Sequence, residues 1–595
     1  MSDFLSGLNE AQKEAVLDFS SPLLVLAGAG SGKTRVITSK IAYAISEMGF
    51  KPYQILAVTF TNRAAKEMRD RVQSMLEGVD LEGLEIRTFH SYGAYLLRRY
   101  GSEIGLAENF NIYDDEDGLS LLSSCFPDAS KKDLKPYLRE IGRLKDLGKT
   151  TPSDLRASEI KLPDFSSRYY AYQDALSASG CVDFADLIIK TDELITSSEE
   201  VKGKLHRRYR LILVDEYQDS NGSQFKLLYD LLGENTQICV VGDDDQSIYR
   251  FRGAEIENIL SFPQRFQGTH VVKLEQNYRS TGAILKIASS VIKNNRGRHD
   301  KTLWTENEEG AKPGVVNAFN PDDEAERIAL DIRRKGNYND TAVLYRMNMQ
   351  SQPFEKAFAK HGIPYKIIGA LRFFDREEIK DMISWFSLLL NQGNVVAFAR
   401  LVNKPARGLG KKSIEKLLAG DSNPISNVRD ALAAAKSGSK TAEGLAVFLD
   451  TYDTAYQMLE KSLPLQEVLS TILQKSGLLD LYASDPDITV RKTREGNLSQ
   501  LANLLSEVEP GFAGLSQFIE NLVLDSSMMG DHDPAKEEGV TLMTMHNTKG
   551  LEYDRVYVVG LEDGIIPGDK NLGDMDLEEE RRIFYVAVTR ARKEL

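Results

Sequence analysis

Cysteine is scarce: Cys125, Cys181 and Cys239 are the only three in 595 residues. Three scattered thiols build no disulfide framework, and no CxxC pair or Cys/His cluster marks a zinc site. That usage suits a reducing compartment, so a cytoplasmic location is expected. No run of 18 or more apolar residues occurs, so no membrane-spanning helix and no membrane partner are expected. The opening stretch MSDFLSGLNEAQKEA has no basic segment followed by an apolar one, which argues against a secretory leader. Low-complexity tails and short-period repeats are also missing. Basic charge is in deficit, with Lys+Arg 74 against Asp+Glu 88 and a net charge of −14. A uniformly basic coat for nucleic acid is thereby excluded; a local basic groove on an acidic body is not.

What is present is ordinary globular material, 42% hydrophobic and 27% charged, in a length that suits about four domains. Short continuous apolar runs at Leu23–Leu26, Ile55–Val58, Leu211–Val214 and Ile238–Val241 predict strands of a parallel sheet covered on both faces. Ile37, Ile41 and Ile45 recur at helical spacing after the first run. Between residues 93 and 190 strand runs vanish and helical, charged segments dominate, including Lys131 to Lys149. Ala342–Tyr345, Thr541–Met543 and Val556–Val559 predict a second α/β domain, interrupted by a mostly helical stretch over 375–535.

Ala27 to Thr34 reads AGAGSGKT, a G-x-x-x-x-G-K-[ST] phosphate loop with Ala27 in place of the first glycine. Glycines at 28, 30 and 32 allow a tight turn, so the backbone N–H groups of Ala29, Gly30, Ser31 and Gly32 converge on phosphate oxygens at a helix N-terminus. Lys33 reaches the β- and γ-phosphates, and the Thr34 hydroxyl suits Mg²⁺. Asp215 and Glu216 follow an apolar strand. Alone they would read as a solvated turn; beside a phosphate loop, Asp215 reads as a second Mg²⁺ ligand and Glu216 as the base for attacking water. These features point to hydrolysis of ATP or GTP but not to what it drives.

Asp215–Asp219 (DEYQD), Val241–Tyr249 (VGDDDQSIY) with Arg250–Ala254, Gln276–Ser280 (QNYRS) and Tyr585–Ala591 (YVAVTRA) are more specific. Through them the chain closely resembles the UvrD/Rep/PcrA family of superfamily 1 DNA helicases, with matches in family order from Gln12 to Arg592. The resemblance implies two RecA-like parallel-sheet P-loop NTPase domains, each with a mostly helical insertion. The first would span 1–92 and 191–278 around an insertion at 93–190. The second would span 279–374 and 536–595 around an insertion at 375–535. It implies ATP and Mg²⁺ as cofactors, Gln12 as the adenine reader, Arg35 in the nucleotide pocket, Tyr278 stacked on the adenine and Glu552 on the ribose. Gln246 would sense the γ-phosphate, and Arg279 and Arg590 would reach it from the second domain.

For the nucleic acid, the resemblance implies a single-strand track of Phe60, Asn62, His90, Phe184, Tyr249, Phe251, Arg252, Arg346 and His546. Aromatic stacking plus backbone charge is the usual way to hold single strands. Phe251 departs from the tryptophan of close relatives, retaining a π-face with less area; Ala185 and Thr548 are milder departures. The expected activity is ATP-driven 3′→5′ translocation on single-stranded DNA with duplex unwinding, in DNA repair or replication restart. Expected partners are single-stranded DNA and single/double-strand junctions, with repair or replication proteins and self-association left open. The alternatives are a translocase that strips bound proteins and unwinds weakly, the helicase subunit of a helicase–nuclease, and an inactive scaffold. The end at Leu595, directly after the last motif, reads as a truncation.

Overall fold

In the computed structural model the described residues are 3–157, 160–368, 374, 376–418, 423–436, 438–485, 488–524, 538–568 and 573–595. Their strands are, in chain order, β1 (Leu23–Ala27), β2 (Ile55–Thr59), β3 (Glu85–Thr88), β4 (Asn111–Tyr113), β5 (Cys181–Asp183), β6 (Leu211–Val214) and β7 (Gln237–Gly242). They continue with β8 (His270–Leu274), β9 (Thr341–Tyr345), β10 (Tyr365–Ile368), β11 (Val540–Thr544), β12 (Tyr553–Val558) and β13 (Ala591–Glu594).

The chain divides into two compact units. The first comprises Met1–Phe89, Glu199–Ala370 and Gly530–Leu595; the second comprises His90–Ser198 and Leu371–Met529. The first unit holds two parallel sheets, ordered β3-β2-β6-β7-β1-β8 and β10-β11-β9-β12-β13. The interior strands β1, β2, β6 and β9 are buried along their whole length, as a sheet flanked by helices requires. Hence they read as unbroken apolar runs. Helices Lys33–Ser46 and Asn62–Met75 bury Val36, Ile37, Ile41, Met68 and Val72 in the core that backs the first sheet. All strand pairs in both sheets are parallel, so successive loops leave on one rim, where ligands bind in folds of this kind.

The second unit is helical and contains one further element that sequence patterning misses. β4 and β5 form a short parallel pair inside the span expected to lack strands. Three-residue strands are too short to display a period of two. Its main core gathers around Phe448, whose ring lies 5.1 Å from Trp385 and 5.8 Å from Phe398, the latter edge-on. Polar links join its two chain segments: Tyr113 donates to Asn394 at 2.8 Å and the Asn391 amide to the Ser179 carbonyl at 2.9 Å. The basic stretch at 131–149 forms a helix, Lys131–Asp146, but Lys145 is no surface charge. It is wholly buried, 2.6 Å from Asp183 and 2.7 Å from Asp186.

Candidate active site

In the first sheet β1 delivers the phosphate loop, β2 Phe60, β6 Asp215 and Glu216, β7 Asp243–Gln246 and β8 Gln276–Arg279. In the second sheet β9 delivers Arg346 and β11 His546 and Lys549. The loop turns through left-handed Gly30 (φ 64°) and Gly32 (φ 84°), which only glycine adopts cheaply. A Cβ on Gly30 would also collide with Asn277 and with the Cβ of Arg279. This crowding arises because the β8 segment lies over the loop: Asn277 donates to Ala29 O at 2.6 Å, and the Tyr278 N–H to Gly30 O at 3.0 Å.

The catalytic candidates form a charged cluster. Lys33 Nζ donates to Glu216 Oε2 at 3.0 Å, and Gln218 Nε2 to the same oxygen at 2.7 Å. Lys549 comes in from the second sheet, 3.3 Å from Glu216 and ion-paired with Asp219. Burial opposes ionisation of Glu216, but Lys33, Lys549 and the Gln218 amide overcome it and hold the carboxyl well below its ordinary range. Asp215 goes the other way: burial, then the neighbouring Glu216 charge, push it up to about 7. Burial likewise lifts Asp219 to about 6, against the pull of Lys549. Glu216 also has φ 51°, a costly backbone for a residue with a Cβ and common where function fixes the geometry. Thr34 and Asp215 offer a hydroxyl and a carboxylate, hard oxygen donors that suit Mg²⁺. A carboxylate desolvated beside another is the kind that a divalent cation relieves, so this donor set fits the ion.

Gln246 is buried and donates to Asp243 Oδ2 at 2.6 Å, while Arg590 NH2 donates to Gln246 Oε1 at 3.4 Å. Burial and the nearby Arg279 press the Arg590 guanidinium downward. Arg279 pairs with Glu552 at 2.6 Å and donates to Thr589 O at 3.2 Å. Gln12 is buried; it donates to Ser31 O at 2.9 Å and accepts from the Asn9 N–H at 3.0 Å, so it braces the loop. One amide hydrogen and one lone pair of Oε1 are not used by these two bonds. Tyr278 is exposed and accepts from the Asn9 amide at 2.9 Å, and Arg35 is exposed near Ser6.

A ladder of rings begins beside this cluster. Phe60 stacks on Tyr249 at 5.1 Å, Tyr249 lies 6.0 Å from Phe251, and His546 meets Phe251 edge-on at 5.4 Å. Arg252 lies 5.5 Å from the Tyr249 ring and 5.6 Å from that of Phe251. Tyr249 donates to His546 O at 3.0 Å, and Lys549 lies 5.6 Å from the Tyr249 ring. Phe251 is 65% exposed, so its π-face is open to a base. Burial, then Arg346 and Arg252, bring His546 down to about 4. Asn62 starts the helix after β2. Arg346 pairs with Glu580 at 2.9 Å and Arg250 with Asp576 at 2.7 Å. The acidic helix Asp574–Val588 is therefore not remote from the track residues, as its charge alone suggests; it neutralises arginines beside them. His90 and Phe184 lie in the second unit, 5.2 Å apart edge-to-face, with burial lowering His90 to about 4.

Sequence reasoning passed over three residues that the structure brings in. Lys549 stands inside a quoted motif, yet nothing in TKGLE says that it reaches Glu216. Lys301 and Arg298, in a stretch without periodicity, are ion-paired with Asp243–Asp245. Paired parallel sheets with a phosphate loop, a buried aspartate followed by a half-buried glutamate, and arginine from the second sheet define a two-domain P-loop nucleotide-binding protein of RecA-like type. The comparisons specify it further. Residues 8–267 match the UvrD/REP helicase N-terminal domain and residues 272–595 the UvrD-like helicase C-terminal domain. The chain belongs to the UvrD/Rep helicase family. It is 38% identical to the ATP-dependent DNA helicase PcrA of Staphylococcus aureus (strain MRSA252), over 100% of this chain and 83% of that protein. It is also 38% identical to PcrA of Staphylococcus epidermidis (strain ATCC 12228 / FDA PCI 1200), over 99% and 83%.

Proposed function

We propose that the chain is an ATP-dependent DNA helicase that moves 3′→5′ along single-stranded DNA and opens duplex ahead of it. The observation that carries this reading is the meeting of two sheets' charges at one loop. Lys33 and Glu216 come from the first sheet, Lys549 and Arg590 from the second half, and Gln246 joins the two sets. In this reading the first unit is the motor. ATP draws Lys33 from Glu216 to its phosphates, Arg279 and Arg590 neutralise charge that develops at the γ-phosphate, and freed Glu216 takes a proton from the attacking water. Mg²⁺, held by Thr34 and Asp215, would supply neutralisation of phosphate charge. Gln12, Arg35, Tyr278 and Glu552 would orient the nucleoside.

The track of Phe60, Asn62, Tyr249, Phe251, Arg252, Arg346 and His546 would stack bases and hold the backbone; within the second unit, His90 and Phe184 would offer base contacts of their own. Both polarity and a role in repair or replication restart are supported by family likeness. Junction-bearing DNA, repair or replication proteins and further copies of the chain are the corresponding partners. The test is DNA-stimulated ATP hydrolysis together with unwinding of duplexes bearing 3′ or 5′ tails. Lys33→Ala and Glu216→Gln should each abolish both activities. Full DNA-stimulated turnover by either variant would overturn the site assignment, and hydrolysis without unwinding would favour a protein-stripping translocase.

A further inference from the structure

Asp243, Asp244 and Asp245 are three consecutive carboxylates, all buried after β7. Their oxygens lie close enough together to hold a cation. The cation present is an ammonium. Lys301 Nζ, buried among them, lies 2.5 Å from Asp243 Oδ1 and 3.3 Å from Asp245 Oδ2, and it also pairs with Asp244. Arg298 takes Asp245 in a two-pronged grip at 2.8 Å on each oxygen, and the His299 N–H donates to Asp244 at 2.6 Å. The cluster is a satisfied ion network, not a metal site.

Its geometry is not symmetric. Lys301 occupies Oδ1 of Asp243, and the other oxygen, Oδ2, accepts from the side-chain amide of Gln246 at 2.6 Å. The opposite end of that amide accepts from Arg590. A primary amide is nearly the same shape when its O and NH₂ are exchanged. Only its partners decide which end faces which way. If Asp243 rotates, the amide can flip and present NH₂ to a guanidinium, two donors face to face.

We propose that Lys301 is a positioning residue for hydrolysis: by clamping Asp243 it fixes the amide of Gln246 so that Oε1 faces Arg590. The proposal rests on the reading of Gln246 as the γ-phosphate sensor. Lys301 follows β8, and the segment leading to it is tied to the helix Asp574–Val588, in the part of the unit that carries Arg590: Arg582 donates to Gly297 O at 3.1 Å and Asn295 to Glu578 O at 2.9 Å. The relay therefore runs from the second half to Asp243 and Gln246 and back to Arg590. Arg298 closes only Asp245 and takes no part in it.

The test is a double-variant cycle on DNA-stimulated ATP turnover, with each protein verified as folded by circular dichroism. Lys301→Met should lower kcat by roughly tenfold to a hundredfold, the loss of a charge-assisted orienting contact, with the KM for ATP changed by less than about threefold. In a Gln246→Ala background the same substitution should lower kcat by less than about twofold, because the residue it positions is gone. Arg298→Met should change kcat by less than about threefold. Lys301→Arg keeps the charge and serves the same cycle if Lys301→Met does not fold; a measurable loss in the otherwise native chain and none beside Gln246→Ala is expected. An equal fold-loss in both backgrounds would show that Lys301 merely supports the fold and would overturn the proposal. A Gln246→Ala variant with native turnover would overturn the reading of Gln246 itself, and the proposal with it.

Discussion

Removing the Phe251 ring isolates the contribution of the track from that of the fold. The side chain is 65% exposed and makes an edge contact with His546, 5.4 Å between ring centres. Its loss should cost folding little, within about 0.5 kcal/mol for an exposed position. A base stacked on such a face is worth about 1–3 kcal/mol. At about 1.4 kcal/mol per factor of ten, Phe251→Ala should weaken single-stranded DNA binding by roughly fivefold to 150-fold. Phe251→Trp, with more π-area, should bind at least as tightly as the native chain. The assay is fluorescence anisotropy with labelled oligo-dT without nucleotide, run beside DNA titrations of ATP turnover. The DNA concentration for half-maximal stimulation should rise with Kd, while unstimulated turnover stays the same. Phe251→Ala binding within about twofold of native would refute the assignment of this ring to base stacking.

Further outcomes follow from the electrostatics. His546 is held neutral, down to about 4, so between about 6.5 and about 4 the unfolded chain takes a proton that the folded one refuses. Stability contributed by this residue is present above about 6.5 and lost as pH falls through that window; His546→Asn should lessen the native drop in urea midpoint between pH 7 and pH 5, and an unchanged drop would contradict it. Lys145→Met strands Asp183 and Asp186 in a buried site and should cost about 3–5 kcal/mol in urea unfolding; a loss under about 1 kcal/mol would mean that the pair is not buried in solution. DNA binding should weaken linearly in log–log terms as salt rises, and a salt-independent Kd would exclude a phosphate-gripping groove.

The two sheets are legible because their central strands are apolar on both faces, and the phosphate loop because its chemistry tolerates few substitutions. β3, with Glu85 and Arg87, and β13, with Arg592, Lys593 and Glu594, sit at sheet edges and carry polar side chains, so no apolar run announces them. Gln246, Arg279 and Arg590 are named through motif likeness, while their mutual contacts depend on where the chain folds back. Lys549 and Lys301 matter through partners more than 50 positions away in sequence. Periodicity reports local burial and carries no information on such distant pairs. Net charge misleads for the same reason: Asp576 and Glu580 look like part of an acidic helix but face Arg250 and Arg346.

Lys549 touches Glu216 and the ring of Tyr249 at once. In the proposed reading one side chain would answer to both ligands, and thermodynamics then forbids a one-way signal. Whatever factor DNA contributes to nucleotide affinity through this lysine, nucleotide must return to DNA affinity in equal measure. Turnover escapes that symmetry; binding does not. A variant that uncouples one direction has to uncouple the other.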